Sequence, residues 1–315
     1  MKNFALIGAA GYIAVRHMKA IKETGNNLVA ALDKFDSVGI MDSYFPEADF
    51  FTEFERFDRH IDKLRHNENK QIDYVSICTP NYLHDSHIRF ALKQQADAIC
   101  EKPLVLNPWN IDALAEVEKE TGQKINNILQ LRLHPDIIKL KKETENAPED
   151  KIWDIDLTYL TSRGKWYFFS WKGDIQKSGG IATNIGVHFF DILTWIFGEI
   201  KESTVHVSDK ASAAGFLSLE KANVRWFLSV DYNNIPDKIK KNGQRTYRSI
   251  TVDGKETELN EGFSDLHTLS YKEILKGNGF GLKDVKPVIK TLYRIRNAEP
   301  VGLKGDYHPL LKNKY

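Results

Sequence analysis

Phe4-Ala5-Leu6-Ile7-Gly8-Ala9-Ala10-Gly11-Tyr12-Ile13-Ala14 is the stretch that decides the fold. Its first four residues form an apolar run of strand length, closed by a tight glycine turn. Beyond the turn, Ile13, Met18, Ala20 and Ile21 recur at helical spacing, which predicts a helix over 12–23 stopped by Gly25-Asn26. A second apolar run, 28–32, ends directly at Asp33, twenty-two positions after Gly11. Strand, glycine turn, helix, strand and acid together describe one half of a dinucleotide-binding fold. Backbone N–H groups of the turn meet a pyrophosphate at the helix N-terminus, and the acid accepts from a ribose hydroxyl.

The turn reads G-x-x-G-x-x-A, with Ala10 where a second glycine is usual. Gly11 then takes over the close backbone approach, and Ala14 is small enough for helix–strand contact. Gly8, Ala10, Gly11, Tyr12, Ile13 and Asp33 are the candidate cofactor contacts. A 2′-phosphate would face the Asp33 carboxylate, so NAD is expected over NADP.

With 315 residues the chain can bury two cores. Its 44 basic and 43 acidic residues nearly cancel, which argues against a nucleic-acid partner held by a global field. No apolar run is read as long enough to cross a bilayer, and the start enters a strand rather than a secretory leader. Cys78 and Cys100 both end apolar runs and are expected as buried thiols, so the chain is read as cytoplasmic.

Strand and helix keep alternating through 74–78, 84–94, 98–100, 108–121 and 125–129, which calls for a parallel sheet. After Leu131 the pattern changes. Trp153, Ile155, Leu157 and Tyr159 alternate with polar residues, as do Val224, Trp226, Leu228 and Val230. Asp253-Gly254 is a two-residue hairpin signal between 250–252 and 257–259. Helices are expected at 186–197, from a cap at Ser264 to 276, and over 283–297; 143–151 reads as a surface loop. The fold class is therefore α/β: an N-terminal Rossmann doubly wound parallel sheet over 1–130. A C-terminal α+β domain with a large, mainly antiparallel sheet follows over 131–315.

In an open parallel sheet, ligands lie beyond the carboxyl ends of the strands. Thr79-Pro80-Asn81 and Glu101-Lys102-Pro103 end up there with the glycine turn, and Lys102 is the candidate for proton transfer. The alternative for Lys102 is an ordinary surface lysine. In Gly179-Gly180-Ile181-Ala182-Thr183-Asn184-Ile185-Gly186-Val187-His188, Asn184 and His188 stand one helical turn apart. His188 is positioned to take a hydroxyl proton; the alternative is a capping Asn184 and a core His188. His84 and His87 stand three apart, but no carboxylate or cysteine completes a set, so no metal is expected.

Lys102 together with 179–188 resembles the glucose–fructose oxidoreductase/inositol dehydrogenase family (Gfo/Idh/MocA). The family's Glu-Lys-Pro stands here as Glu101-Lys102-Pro103, and its glycine-pair-to-histidine segment as 179–188. The resemblance covers essentially the whole chain. It implies Lys102 as a catalytic lysine and His188 as a catalytic acid/base. It implies that Thr79, Pro80, Asn81, His84, Glu101 and Lys102 border the cofactor. Many family members carry aspartate where this chain has Asn184; an amide cannot relay a proton, so Asn184 is cast as a hydroxyl-binding residue.

A narrower resemblance is carried by 8–14, Asp36-Ser37-Val38-Gly39, 101–109, Arg163-Gly164-Lys165-Trp166-Tyr167 and Phe189-Phe190-Asp191. These look like the UDP-N-acetylglucosaminuronate 3-dehydrogenases of bacterial lipopolysaccharide O-antigen sugar biosynthesis. That implies NAD-dependent oxidation of the sugar C3 hydroxyl, with 2-oxoglutarate re-oxidising NADH in some members. A substrate of this kind carries a diphosphate and a carboxylate, which suit fixed cations beside aromatic rings. Lys102, Arg163, Tyr167, Thr183, Asn184, His188 and Arg245 are the candidate substrate contacts. Relatives associate through the sheet of the second domain, so a homodimer or homotetramer is expected. Two alternatives stay open: a dehydrogenase of another sugar or of inositol, and a non-catalytic NAD-sensing regulator.

Overall fold

A computed structural model describes residues 1–66, 70–258 and 265–312. The chain divides into two compact units: Met1–Leu133 with Ser264–Lys286, and His134–Phe263 with Pro287–Tyr315. The single boundary expected after residue 130 is thus replaced by a discontinuous division.

The first unit opens with β1 (Asn3–Ile7), α1 (Ala14–Glu23), β2 (Asn27–Leu32), β3 (Asp49–Phe51) and α2 (Phe54–Arg65). It continues with β4 (Tyr74–Ile77), α3 (His84–Lys93), β5 (Asp97–Cys100), α4 (Pro108–Thr121) and β6 (Ile125–Asn127). The six strands pair in the order β3-β2-β1-β4-β5-β6, every pair parallel. Strand order reverses beside β1, the place where doubly wound sheets open a crevice for ligands. α4 shows the usual asymmetry of helix ends: Pro108 fills the first turn, and Gly122 closes it at φ +75°. Cys78 and Cys100 are free and buried, and burial pushes both thiols up.

The second unit contains α5 (Pro135–Glu145), β7 (Trp153–Thr161), α6 (Trp166–Phe169), α7 (Ile175–Ser178) and α8 (Gly180–Phe197). Then come β8 (Ile200–Ser208), β9 (Ser212–Leu219), β10 (Ala222–Ser229), α9 (Asp237–Lys241), β11 (Thr246–Val252) and β12 (Lys255–Glu258). Their sheet runs β12-β11-β7-β10-β9-β8, antiparallel except for the parallel pair β7–β10. Asp253 and Gly254 both take positive φ, as the hairpin signal requires. Residue 259 of the expected return strand lies outside the described residues.

α10 (Leu266–Leu275) belongs to the first unit, and the unit boundary falls within α11 (Leu282–Asn297) at Lys286/Pro287. Tyr271 and Ile274 of α10 join the core formed by Phe4, Met18 and Ile21, and Thr268 donates to Glu23 at 2.7 Å. This packing is why the division is discontinuous. The cap expected at Ser264 lies outside the described residues.

Three expectations about the second unit's sheet and its long helix also need correction. Half-wet alternation holds only for the first residues of β7 and of β10; from Leu157 and from Trp226 onward both faces are buried. Leu160 and Phe227 pack with Ile235, Ile239 and Leu311, bordered by Tyr247, Leu303, Tyr307 and Leu310, so the sheet's second face is partly covered by the chain itself. A broad free face for association is therefore narrower than expected. Finally, Ile175–Phe197 is long and apolar enough to cross a membrane by length and composition, contrary to the sequence expectation. It is 72% buried within the fold, as a core helix is.

Buried histidines couple the fold to pH, His87 and His308 among them. Burial pushes His87 down to about 4 and His308 down to about 3. His308 is held neutral by geometry: its Nδ1 accepts from the Leu310 N–H at 3.2 Å and its Nε2 contacts the Thr158 hydroxyl at 3.0 Å. Below pH 6.5 the unfolded chain protonates these rings while the fold does not. Unfolding then takes up protons, and stability falls with falling pH until the folded values are reached. The expected slope is about 1.4 kcal/mol per pH unit for each histidine. Denaturant titrations from pH 7 to 4.5 check this, and replacing His308 should flatten the slope of the second unit's transition.

Candidate functional site

All strands of the first sheet end on one edge, so the loops that follow them gather there. Gly8 continues the ladder past β1, its N–H donating to Leu32 at 2.8 Å. Its φ is +95°, and a Cβ would stand 2.8 Å from the carbonyl carbon of Cys78, so only glycine fits. Asp33 holds the turn from outside: Oδ2 accepts from the Ala10 N–H and Oδ1 from Phe35, both at 3.0 Å. Each carboxylate oxygen keeps a lone pair for a further donor. α1 starts at Ala14 with no side-chain cap and no acid in its first turn, leaving its positive end open to an anion. Tyr12 is 88% exposed beside it, and Ile13 is half-buried. These features fit a dinucleotide: its pyrophosphate at the α1 N-terminus and a ribose hydroxyl on Asp33.

The loop after β4 is pinned by histidines. His87 Nδ1 lies 3.0 Å from the Thr79 hydroxyl, and His84 contacts the Thr79 carbonyl at 2.9 Å and the Pro103 carbonyl at 2.7 Å. His84 has no exposed surface. Its expected place against the cofactor thus becomes indirect: it ties the 79–81 loop to the 101–103 loop. Burial lowers its pKa, against the pull of the two carbonyls. Pro80 is half-buried and Asn81 buried in the same loop.

Glu101 is 5% exposed, and its Oε1 accepts from His17 Nε2 at 3.0 Å and His267 Nε2 at 2.9 Å. Oε2 accepts from the Lys102 backbone N–H at 3.2 Å. Burial alone would raise the Glu101 pKa; the two imidazole donors reverse that and hold it well below the carboxylate range. The three ligand-type atoms lie close enough to hold a metal ion. Because a carboxylate only accepts, each Nε2 carries a proton, and hydrogen bonding accounts for the cluster without one. Lys102 itself is half-buried at the end of this segment. His17, His267 and Tyr271 escaped sequence reasoning, since no local signal ties positions 250 residues apart.

In the second unit, Gly179 closes α7 in a left-handed conformation (φ +81°), and a Cβ there would meet the Thr183 side chain at 2.7 Å. α8 therefore begins six residues earlier than the expected 186. Asn184 donates from Nδ2 to the Tyr167 hydroxyl at 2.7 Å, and His188 follows one turn later, half-buried. Thr183 is buried, its hydroxyl without a hydrogen-bond partner among the described residues. Tyr167 is buried too, and burial raises its pKa. Arg163 is exposed just past β7. Arg245 is also exposed; it donates to the Ser162 hydroxyl at 2.9 Å and lies over the Tyr232 ring at 5.1 Å. Arg248 packs over Tyr159, whose ring meets Phe189 beside His188. Cations, a phenol, an amide and an imidazole thus collect around the start of α8 and the end of β7.

Family models match both units: "Oxidoreductase family, NAD-binding Rossmann fold" over residues 2–128, and "Oxidoreductase family, C-terminal alpha/beta domain" over 151–238. The WlbA (WbpB) dehydrogenase from Thermus thermophilus, solved with NAD and α-ketoglutarate, is 49% identical over 99% of this chain and 100% of its own, at TM-score 0.95. The chain belongs to the Gfo/Idh/MocA oxidoreductase family. A second structure of the Thermus protein holds NAD and UDP-GlcNAcA, at 48% identity and the same TM-score. Among curated relatives, inositol 2-dehydrogenase of Rhizobium meliloti is 30% identical over 62% of this chain. D-glucoside 3-dehydrogenase of Escherichia coli is 26% identical over 44% of it. The matched stretch spans about half the length of these curated relatives, 55% and 40% respectively.

Proposed function

We propose that this chain is an NAD-dependent dehydrogenase of UDP-N-acetylglucosaminuronic acid that oxidises the C3 hydroxyl to a ketone. The observation that carries the reading is 49% identity along 99% of the chain with a dehydrogenase solved with NAD and, in separate structures, the UDP-sugar acid or α-ketoglutarate. NAD, when bound, accepts the hydride that leaves C3. Lys102 and His188 share removal of the single hydroxyl proton, one accepting it and the other hydrogen-bonding the oxygen, as the C–H and O–H bonds break and the carbonyl forms. Asn184 has no proton-accepting capacity and holds a sugar hydroxyl, with Thr183 and Tyr167 beside it. Arg163 and Arg245 hold the carboxylate and the diphosphate, where planar guanidinium groups bind two oxygens at once. Thr79, Pro80, Asn81 and Glu101 shape the cofactor's surroundings, His84 through the loops it joins. The proposed setting is the bacterial cytoplasm, in synthesis of lipopolysaccharide O-antigen sugars, with the protein as a homodimer or homotetramer and 2-oxoglutarate regenerating oxidised cofactor.

Mixing the protein with NAD and UDP-N-acetylglucosaminuronic acid should raise absorbance at the NADH band. Adding 2-oxoglutarate should then lower it. Turnover of myo-inositol or an unactivated hexose in place of the nucleotide sugar would replace this substrate with a simple polyol. Cofactor binding without NADH formation on any of them would point to a regulator.

A further inference from the structure

Buried carboxylates need strong reasons to stay charged, and Glu101 has three donors that supply them. His17 Nε2 and His267 Nε2 share one oxygen, and the Lys102 N–H takes the other. Burial lowers the pKa of His17 and so favours the neutral ring; with its Nε2 proton committed to Glu101, its Nδ1 then accepts from the Tyr271 hydroxyl at 2.7 Å. The Ser76 hydroxyl in turn donates to Tyr271 at 2.6 Å. On the other side of the same segment, Asn127 Nδ2 donates to the Cys100 carbonyl at 2.8 Å and the Glu101 carbonyl at 3.2 Å. The backbone that delivers Lys102 is thus gripped at its N–H through Glu101 and at the two preceding carbonyls through Asn127. Two of the four side chains behind the first grip, His267 and Tyr271, come from α10.

We propose that His17 and His267 are positioning residues for Lys102, acting through the Glu101 carboxylate that holds the Lys102 backbone N–H. The inference rests on the reaction proposed above for the part played by the Lys102 amine; the anchoring itself does not. Neither histidine has surface to offer a substrate: both are buried, His17 completely. Their effect passes through one carboxylate to one amide, and small displacements of a reacting group carry large costs, about 100-fold for 1 Å.

Four variants and one reaction-independent measurement test this. Glu101→Gln is nearly isosteric and keeps a carbonyl for the histidines, but turns an NH2 toward the Lys102 N–H. It should lower kcat about tenfold or more with the KM for NAD changed less than about threefold. His267→Leu should do the same, and His267→Gln, which restores a donor near the Nε2 position, should recover most of the loss. Because His267 acts through Glu101, the double variant Glu101→Gln/His267→Leu should be no slower than Glu101→Gln alone. Hydrogen exchange of the Lys102 amide, read by mass spectrometry as the difference between peptides spanning 98–107 and 101–107, should accelerate about tenfold or more in Glu101→Gln and His267→Leu. Multiplying losses in the double variant, or unchanged exchange at Lys102, overturns the proposal. A wild-type chain inactive on the nucleotide sugar, with Lys102 exchange still released by these variants, refutes the reaction and leaves the anchoring standing.

Discussion

Lys102→Met should lower kcat for NADH formation by about 10³ while leaving the dissociation constant for NAD within about threefold. Methionine keeps the unbranched reach of lysine and removes the amine, so the change isolates proton handling. General acid–base groups contribute about 10²–10⁴ in rate, and a factor of 10³ is about 4 kcal/mol of barrier. Cofactor binding should survive because the loop is held by backbone bonds from Glu101 and Asn127, which the substitution leaves untouched. Steady-state absorbance and calorimetric titration with NAD give the two numbers. A kcat within tenfold of wild type would remove Lys102 from the proton path.

His188→Asn is expected to lower kcat by about 10² and to raise the primary isotope effect for a sugar deuterated at C3. Asparagine fills part of the imidazole's volume and still hydrogen-bonds, but cannot accept a proton. The residue one turn before it, Asn184, is already an amide and is committed to the Tyr167 hydroxyl, and the carboxylate one turn after it, Asp191, is buried. The isotope effect matters because it separates slower chemistry from weaker sugar binding: only slower chemistry unmasks the C–H step. Near-normal turnover in this variant would leave Lys102 as the only candidate base.

Much of the first unit was legible because its elements obey local rules. The glycine turn, the helical spacing after it and Pro108 before Gly122 each act over a few residues, as does the Asp253-Gly254 hairpin in the second unit. α2 was not read, since only Phe57 and Ile61 are buried on an otherwise charged helix. β9 was missed because Ser212-Ala213-Ala214-Gly215 carries almost none of the β-branched residues that mark strands. At the site, Lys102, Asn184 and His188 stood out by chemistry and spacing. Glu101 and His84 were read as bordering the cofactor; both are buried and spend their polar atoms on backbone and on histidines. His17 looked like one more helix residue, and nothing near it announced a partner on α10. Buried polar networks assemble from distant stretches, and periodicity carries no record of them.

The placement of α10 has a consequence for how the protein is made. The nucleotide-binding half recruits a helix encoded after almost the whole of the other half, so it cannot be finished while the ribosome is still translating the middle of the message. Until residue 275 emerges, the Glu101 carboxylate lacks His267, and the hydrophobic surface that Tyr271 and Ile274 cover is open. A chain cut short anywhere before that point would carry an intact glycine fingerprint and still be a client for chaperones and proteases rather than a small dehydrogenase.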